Sequence, residues 1–298
     1  MKNIRDLFRF INNHPLGSKH KLLAYSKFIK WQVSQYVKPQ EKKVSFTDKT
    51  NLLVKKGMTG ATGNVYLGLH EFNDMGFLLH FLRPNDVFFD IGANVGSYTI
   101  LASGHCKAKT FCFEPIPTTF ESLHKNIVSN KIESLVQAKN IGLGDAEGVL
   151  VFTKKMDTVN HVMYNYDYTA KEDSIEVQVL TGDSFLAITD CPSLIKIDVE
   201  GFETSVLDGM TAILNNEKLK AIIIELNGSG LRYGFDESII HQKLLDLNFN
   251  AYNYSPFTRE LLLQEKHGDF NTIYLRDFSF VKNRILEADK INIFRESF

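Results

Sequence analysis

The sequence predicts an α/β fold: a doubly wound, mostly parallel sheet with an antiparallel closing pair and an N-terminal helical and β appendage. Three observations carry this prediction. From Asp86 onward, short apolar runs ending in an acid or a glycine alternate with stretches that are apolar at helical spacing. One such junction, Asp86 to Leu101 (DVFFDIGANVGSYTIL), reads as a buried strand, a tight glycine turn and a helix start. Repeated units of this kind imply parallel strands joined by right-handed crossovers.

Taken in order, Ile4, Leu7, Phe8 and Ile11 lie at helical spacing, and His14-Pro15-Leu16-Gly17 breaks that helix. A second helix follows, with Leu22, Tyr25, Ile29, Val33 and Tyr36 near one face, and ends before Pro39. Val44 to Leu69 reads as short strands and turns, with Thr59 to Asn64 a loop by composition. Phe72 to Leu82 is a helix that Arg83-Pro84-Asn85-Asp86 stops.

In the core, Thr110 to Phe113 is a strand ending in Glu114, followed by a helix through Phe120, Leu123, Ile127 and Val128. Leu135 to Leu143 is a strand running into Gly144-Asp145, and Val149–Thr153 with Ile175–Leu180 form a β excursion around a polar, aromatic loop. A short helix spans Asp183 to Ile188. Leu194–Val199 and Ala221–Leu226 are strands, the second rich in isoleucine and suited to a sheet centre. Phe202–Leu214 is a helix between them, and another carries Ile239, Leu244, Leu245 and Leu247. Phe249–Tyr254 and Thr272–Leu275 form the closing pair, and the tail after Asp277 is helical. The chain divides into a basic helical segment 1–43, a lead-in 44–85 that is a candidate substrate-pocket element, and a core 86–298.

Composition limits the function. With 44% apolar and 23% charged residues in a chain of 298, a sizeable core is expected. A net charge of -1 argues against a general nucleic-acid binder. The charge is uneven: Met1 to Lys43 holds ten Lys or Arg against Asp6 and Glu41. That segment reads as a helical appendage packed on the core, and its basic flanks also permit peripheral membrane or protein contact. Cys106, Cys112 and Cys191 are too few and too irregularly spaced for a metal site and read as reduced, buried thiols. No apolar run spans a bilayer and the start lacks a signal-peptide core, so a cytoplasmic location is expected.

The junction after Asp90 is the first candidate site. Gly92, Asn94 and Gly96 follow the strand, but Asn94 occupies the place of the middle glycine in a dinucleotide-binding fingerprint. Asp90 would repel a pyrophosphate, whereas it can meet an ammonium while the loop amides meet a carboxylate. S-adenosylmethionine (SAM) carries such an aminoacyl group. Glu114, at the end of the next strand, has two acceptor oxygens for the two hydroxyls of a ribose. Asp145 can accept an adenine amino group or simply bond its own turn.

Lys196, Asp198 and Glu200 alternate onto one side at the end of the fourth core strand. Three ionisable groups there are costly unless used or paired, and that strand end borders the ligand crevice of such a sheet. Asp198 is a candidate base, with Glu200 and Lys196 orienting the acceptor or balancing charge. His161, in the aromatic loop with Tyr164, Tyr166 and Tyr168, is a second candidate base. Asp198, Glu225 and Asn227 are an oxygen-rich trio, but nothing in their spacing demands a cation, and no metal is expected.

Together these stretches resemble the FkbM-type family of SAM-dependent methyltransferases. The resemblance rests on FFDIGANVGSYT (Phe88 to Thr99), FEPIPTTFESLHKNI (Phe113 to Ile127), the Gly142-Leu143-Gly144-Asp145 turn, LIKIDVEGFETSVLDG (Leu194 to Gly209) and IIIELNG (Ile222 to Gly228). It implies a Rossmann-like class I methyltransferase core and methyl transfer to a hydroxyl oxygen of a sugar, glycan or other small molecule. Asp90, Gly92, Asn94 and Gly96 would hold the aminoacyl end of SAM, Glu114 its ribose, and Asp198 to Gly201 would border the transfer site. Two other readings stay open: a nicotinamide-dependent oxidoreductase, against which Asn94 counts, and a non-catalytic SAM-fold scaffold.

Overall fold

The computed structural model describes residues 4–153, 161–163 and 173–298. A central sheet of eight strands runs through the molecule. Its strands are β1 (Val87–Ile91), β2 (Lys109–Phe113), β3 (Val136–Lys139), β4 (Leu194–Ile197), β5 (Ala221–Glu225), β6 (Asn250–Ser255), β7 (Glu260–Gln264) and β8 (Asn271–Leu275). They lie in the order β7-β6-β8-β5-β4-β1-β2-β3. From β5 to β3 every neighbouring pair is parallel. β8 runs antiparallel between β5 and β6, and β7 pairs antiparallel with β6. The expected closing pair is therefore present, with the hairpin strand β7 added at its edge.

Alternation along the strands fills both faces. Phe88, Cys112, Leu194 and Ile223 enter one apolar cluster, and Phe89, Phe111, Ile195 and Ile222 enter the other. Full burial of each Phe or Ile side chain stabilises the sheet by about 1.5–3 kcal/mol. The first cluster also takes in Ile11, Leu16, Ala24 and Trp31, so the N-terminal helices share the core of the sheet. A second sheet of three short strands, Gly142–Leu143, Ser174–Leu180 and Gly148–Thr153, stands beside the strand ends over Phe152, Val162, Val177 and Val179.

Five local expectations change. Thr59 to Asn64 is not a loop but the first part of a helix, Thr59–Leu67. Burial of Ala61 and Leu67 overrides the poor helix propensity of its two glycines. Leu135 to Leu143 is two strands in two sheets, divided where Asn140 Nδ2 donates to the Glu114 and Pro115 carbonyls. Phe202 to Leu214 is two short helices, Glu203–Asp208 and Thr211–Asn215. The break falls at Gly209, whose Cα packs so close to the Gly144 carbonyl that a Cβ would sit 1.9 Å from that oxygen. His14 to Gly17 does end the first helix, Ile4–Asn13, but starts another, Pro15–Lys19. Proline suits its first position, and His14 Nδ1 caps it by accepting from Leu16 and Gly17 N–H.

The helix Lys21–Val37 presents the other face from the one expected to pack. Ala24, Trp31 and Gln35 are buried, while Leu22, Ile29, Val33 and Tyr36 are exposed. All three cysteines are buried free thiols. No helix among the described residues is long and apolar enough to cross a membrane.

Gly209 gives the fold a test. Gly209→Ala is expected to lower unfolding free energy by about 1–3 kcal/mol through overpacking against fixed backbone. Gly148→Ala, where a Cβ meets nothing within 4 Å, is expected to be near neutral. Urea denaturation of the two variants measures the difference.

Candidate functional site

The order of the sheet reverses at β1, which lies between β2 and β4. Ligands of open α/β sheets bind outside the strand ends at such a point. A cavity of about 430 Å³ opens there, lined by Asp90, Gly92, Asn94, Glu114, Lys196, Asp198, Glu200 and Glu225, among others.

The turn after β1 is shaped by close approach. Gly92, Asn94 and Gly96 have φ of +78°, +52° and +89°. A Cβ on Gly92 would lie 1.8 Å from the Asp198 carbonyl, so only glycine lets the ends of β1 and β4 meet. Asn94 stands where the dinucleotide fingerprint has glycine because asparagine tolerates the left-handed region. The expectation that the amides of this loop are open to a ligand needs correction. The Gly92 and Ala93 amides donate to the Phe113 carbonyl, Asn94 N–H to Glu114 Oε2, and Val95 N–H to Asn94 Oδ1.

Two carboxylates line this half of the cavity. Thr99 Oγ1 donates to Asp90 Oδ2 at 2.6 Å. Burial pushes the Asp90 carboxyl up to about 6, against the pull of Thr99 and Lys196. Glu114 accepts from Ile116 N–H with one oxygen and from Asn94 N–H with the other, at 2.9 and 3.0 Å. Burial nevertheless raises it to about 7.

The other half is organised by Lys196, which is 1% exposed. Asp90 and Lys196 are register partners on neighbouring strands, so their side chains share a face. Lys196 Nζ lies 3.1 Å from Asp198 Oδ2 and 5.5 Å from the centre of the Tyr98 ring. Burial opposes its charge, but Asp198, Glu71 and Glu225 outweigh that and hold the ammonium above the ordinary lysine range. Burial likewise opposes the charge of Asp198, yet Lys196 and a hydrogen bond from Glu225 keep its carboxyl below the usual range. The proton sits on Glu225, raised to about 9 by burial and the Asp198 charge. Glu200 is pushed up to about 7, first by burial and then by Asp198. It holds a left-handed φ of +55°. Glu203 fixes this turn by accepting from Val199 and Gly201 N–H at 3.2 and 3.1 Å.

The expected cofactor residues Asp90, Gly92, Asn94 and Glu114 thus line one cavity with Lys196, Asp198 and Glu200. Gly96 shapes the turn behind it. Asp145 is absent from the lining; Ser205 Oγ donates to its Oδ1 at 2.6 Å, which fixes it against the helix starting at Glu203. His161 is not among the lining residues either; its backbone pairs with Thr153, and its neighbour Val162 lines the cavity. Tyr164, Tyr166 and Tyr168 lie outside the described residues.

The expected trio Asp198, Glu225 and Asn227 lines the cavity, but the carboxylates that come together, each offering an oxygen within 4.8 Å of the others, are Asp198, Glu200 and Glu225. Lys196 Nζ pairs with one of the three, Asp198, at 3.1 Å. Sequence reasoning missed the opposite wall. Gly60, Ala61 and Asn64 from the unexpected helix line it, as do His70, Glu71 and Tyr98. Tyr98 OH and Asn271 Nδ2 donate to the two oxygens of Glu71, at 2.7 and 2.8 Å. Gly63 was the one signal of a backbone approached closely: a Cβ there would meet the His70 ring at 2.1 Å, whereas one on Gly60 would meet nothing within 4 Å.

A family model described as the methyltransferase FkbM domain matches residues 90–256. Hexuronic acid methyltransferase AglP of Haloferax volcanii is 30% identical over 152 residues, which is 50% of this chain and 59% of that protein. The 31-O-demethyl-FK506 methyltransferase FkbM of Streptomyces tacrolimicus is 31% identical over 114 residues, 37% of this chain and 43% of that one. The chain thus matches less than two thirds of the length of these relatives. The solved FkbM methyltransferase of Methylobacillus flagellatus KT aligns over 72% of this chain and 54% of its own, at 15% identity and a TM-score of 0.43. The family match begins at Asp90, runs through Glu114, Asp198, Glu200 and Glu225, and covers more than half of the chain, which therefore belongs to the FkbM methyltransferase domain family.

Proposed function

We propose that this protein is a SAM-dependent O-methyltransferase acting on a hydroxyl of a sugar, glycan or other small molecule. One observation carries the reading: Asp90, Glu114 and the Lys196–Asp198–Glu200 group line a single cavity at the reversal point of the sheet. The residues fit the cofactor. Each oxygen of Glu114 takes one backbone N–H and keeps acceptor capacity for a ribose hydroxyl. Asp90 suits an ammonium. With the loop amides spent internally, the Ser97 hydroxyl on the lining, which accepts from Asn64 Nδ2 at 3.2 Å and keeps its own proton to donate, suits the aminoacyl carboxylate. An acidic cavity also favours a sulfonium-bearing molecule over its neutral product.

When bound, SAM supplies a methyl group already activated on its sulfonium. The chain's own work is to orient the acceptor and take its proton. Glu200 is the better base: its carboxyl titrates at about 7, and it lines the cavity. Asp198 is bound to Lys196 and too weakly basic, so its part is to hold that ammonium and the Glu225 proton in place. His161 has no step here. Similarity to a protein named for hexuronic acid supports the sugar class.

Calorimetric titration is the first test. A saturable signal with SAM that is lost in Asp90→Ala, with none for NAD, is expected; a signal with NAD alone overturns the reading. Asp90 and Glu114 titrate at about 6 and about 7 before binding, and the cofactor prefers both ionised. Binding therefore releases protons in that range, and affinity falls as pH drops through it. Titrations in buffers of different ionisation enthalpy measure the release.

For transfer, the readout is labelled methyl from SAM across a panel of sugars. Turnover is expected to rise with pH through about 7 as Glu200 ionises. Glu200→Gln should cost about 10²–10⁴ in kcat, remove that rise, and leave SAM affinity unchanged.

A further inference from the structure

The exposed face of the helix Lys21–Val37 has no counterpart in the proposed reaction. Leu22 and Tyr36 are 89% and 90% exposed, and Ile29 and Val33 lie between them on the same stripe. The first helix, Ile4–Asn13, extends the patch: Phe8 is 41% exposed, and its ring centre lies 5.3 Å from that of Tyr25. The inward face is separately satisfied, with Trp31 and Ala24 buried and Phe28 against the Tyr66 ring. The outer stripe is therefore surplus to the fold, and leaving it in water brings no stability.

Charge decides what covers it. Arg5, Arg9, Lys21, Lys30 and Lys38 are exposed on the same two helices and the residue that follows them. The acids of the first 43 residues are only Asp6 and Glu41, against ten Lys or Arg. The rest of the chain carries a net negative charge, including the acidic cavity. A second copy would bring the same basic patch against itself, since a twofold contact uses one surface twice. An anionic surface attracts this end and repels the body, which fixes the orientation as well as the contact.

We propose that the exposed stripe of the helix Lys21–Val37, with Phe8 and Tyr25 beside it, docks the protein on an anionic phospholipid membrane, apolar side chains among the acyl chains and lysines at the headgroups. The helix lies in the interface plane, because its inner face remains packed on the helix Thr59–Leu67. That second helix lines the cofactor cavity, so docking brings the active site to within one helix layer of the bilayer.

Co-sedimentation of the full chain with vesicles tests this. Phosphatidylcholine carrying about one-third phosphatidylserine is expected to sediment the protein, more weakly as salt rises, while phosphatidylcholine alone is not. The double variant Ile29→Asp, Val33→Asp should weaken partitioning by about tenfold or more. Replacing Lys21, Lys30 and Lys38 by Gln should weaken it roughly a hundredfold. Both sets are exposed, so circular dichroism and SAM titration should match the unaltered chain and separate lost docking from lost folding. No sedimentation with the anionic vesicles, or equal sedimentation of the variants, overturns the proposal. So does a dimer in solution that Ile29→Asp dissolves while vesicles do not bind, which would give the stripe to a second copy.

Discussion

A single buried ammonium holds the site together. Lys196 is almost wholly removed from water, and a lysine there survives as a cation only because carboxylates surround it. The dependence runs both ways. Asp198 keeps its charge through Lys196, Glu225 keeps its proton through burial and then the Asp198 charge, and Glu200 is raised partly by the same charge. Neighbouring groups with one acid held down and two pushed up divide the work of charge-holding and proton transfer between them. Asp90 belongs to the same system through its register with Lys196, so the cofactor half and the acceptor half of the cavity share one electrostatic centre.

Most of the sheet was legible in the residues because its strands are buried on both faces and end on recognisable chemistry. Val87–Ile91, Lys109–Phe113 and Ala221–Glu225 need no partner to look like strands. The acids at their ends were legible too, since a charged residue closing an apolar run is unusual enough to call for a use. What stayed hidden depends on contacts distant in sequence. Glu71 meets Asn271 across 200 residues, and no local pattern marks either one. The helix Thr59–Leu67 is held by the burial of Ala61 and Leu67 and by His70 against Gly63, contacts that its loop-like composition does not reveal. Periodicity showed an apolar stripe on Lys21–Val37 but not which of two stripes faces inward. The inner one carries Ala24 and Gln35, which read as weaker packing residues than Leu22 and Ile29.

The glycine turn and the acid cluster are parts of one arrangement. Gly92 touches the Asp198 backbone, so the element that shapes the cofactor end also sets where the β4 acids begin. Glu203 then pins the next residues from below. Position, rather than any unusual residue, gives Asp198 and Glu200 their different strengths as bases: one faces Lys196, and the other stands one turn further out on strained backbone.

The three cysteines carry a practical consequence. Cys106, Cys112 and Cys191 are all buried, and burial pushes the first and last up to about 12 and about 11, with Cys112 raised still further. A thiol reacts as its thiolate, and these hold almost none at neutral pH. The native chain is thus a silent background for thiol chemistry. A cysteine introduced on its surface becomes the preferred handle for a fluorophore or spin label, with no native sulfur to remove first.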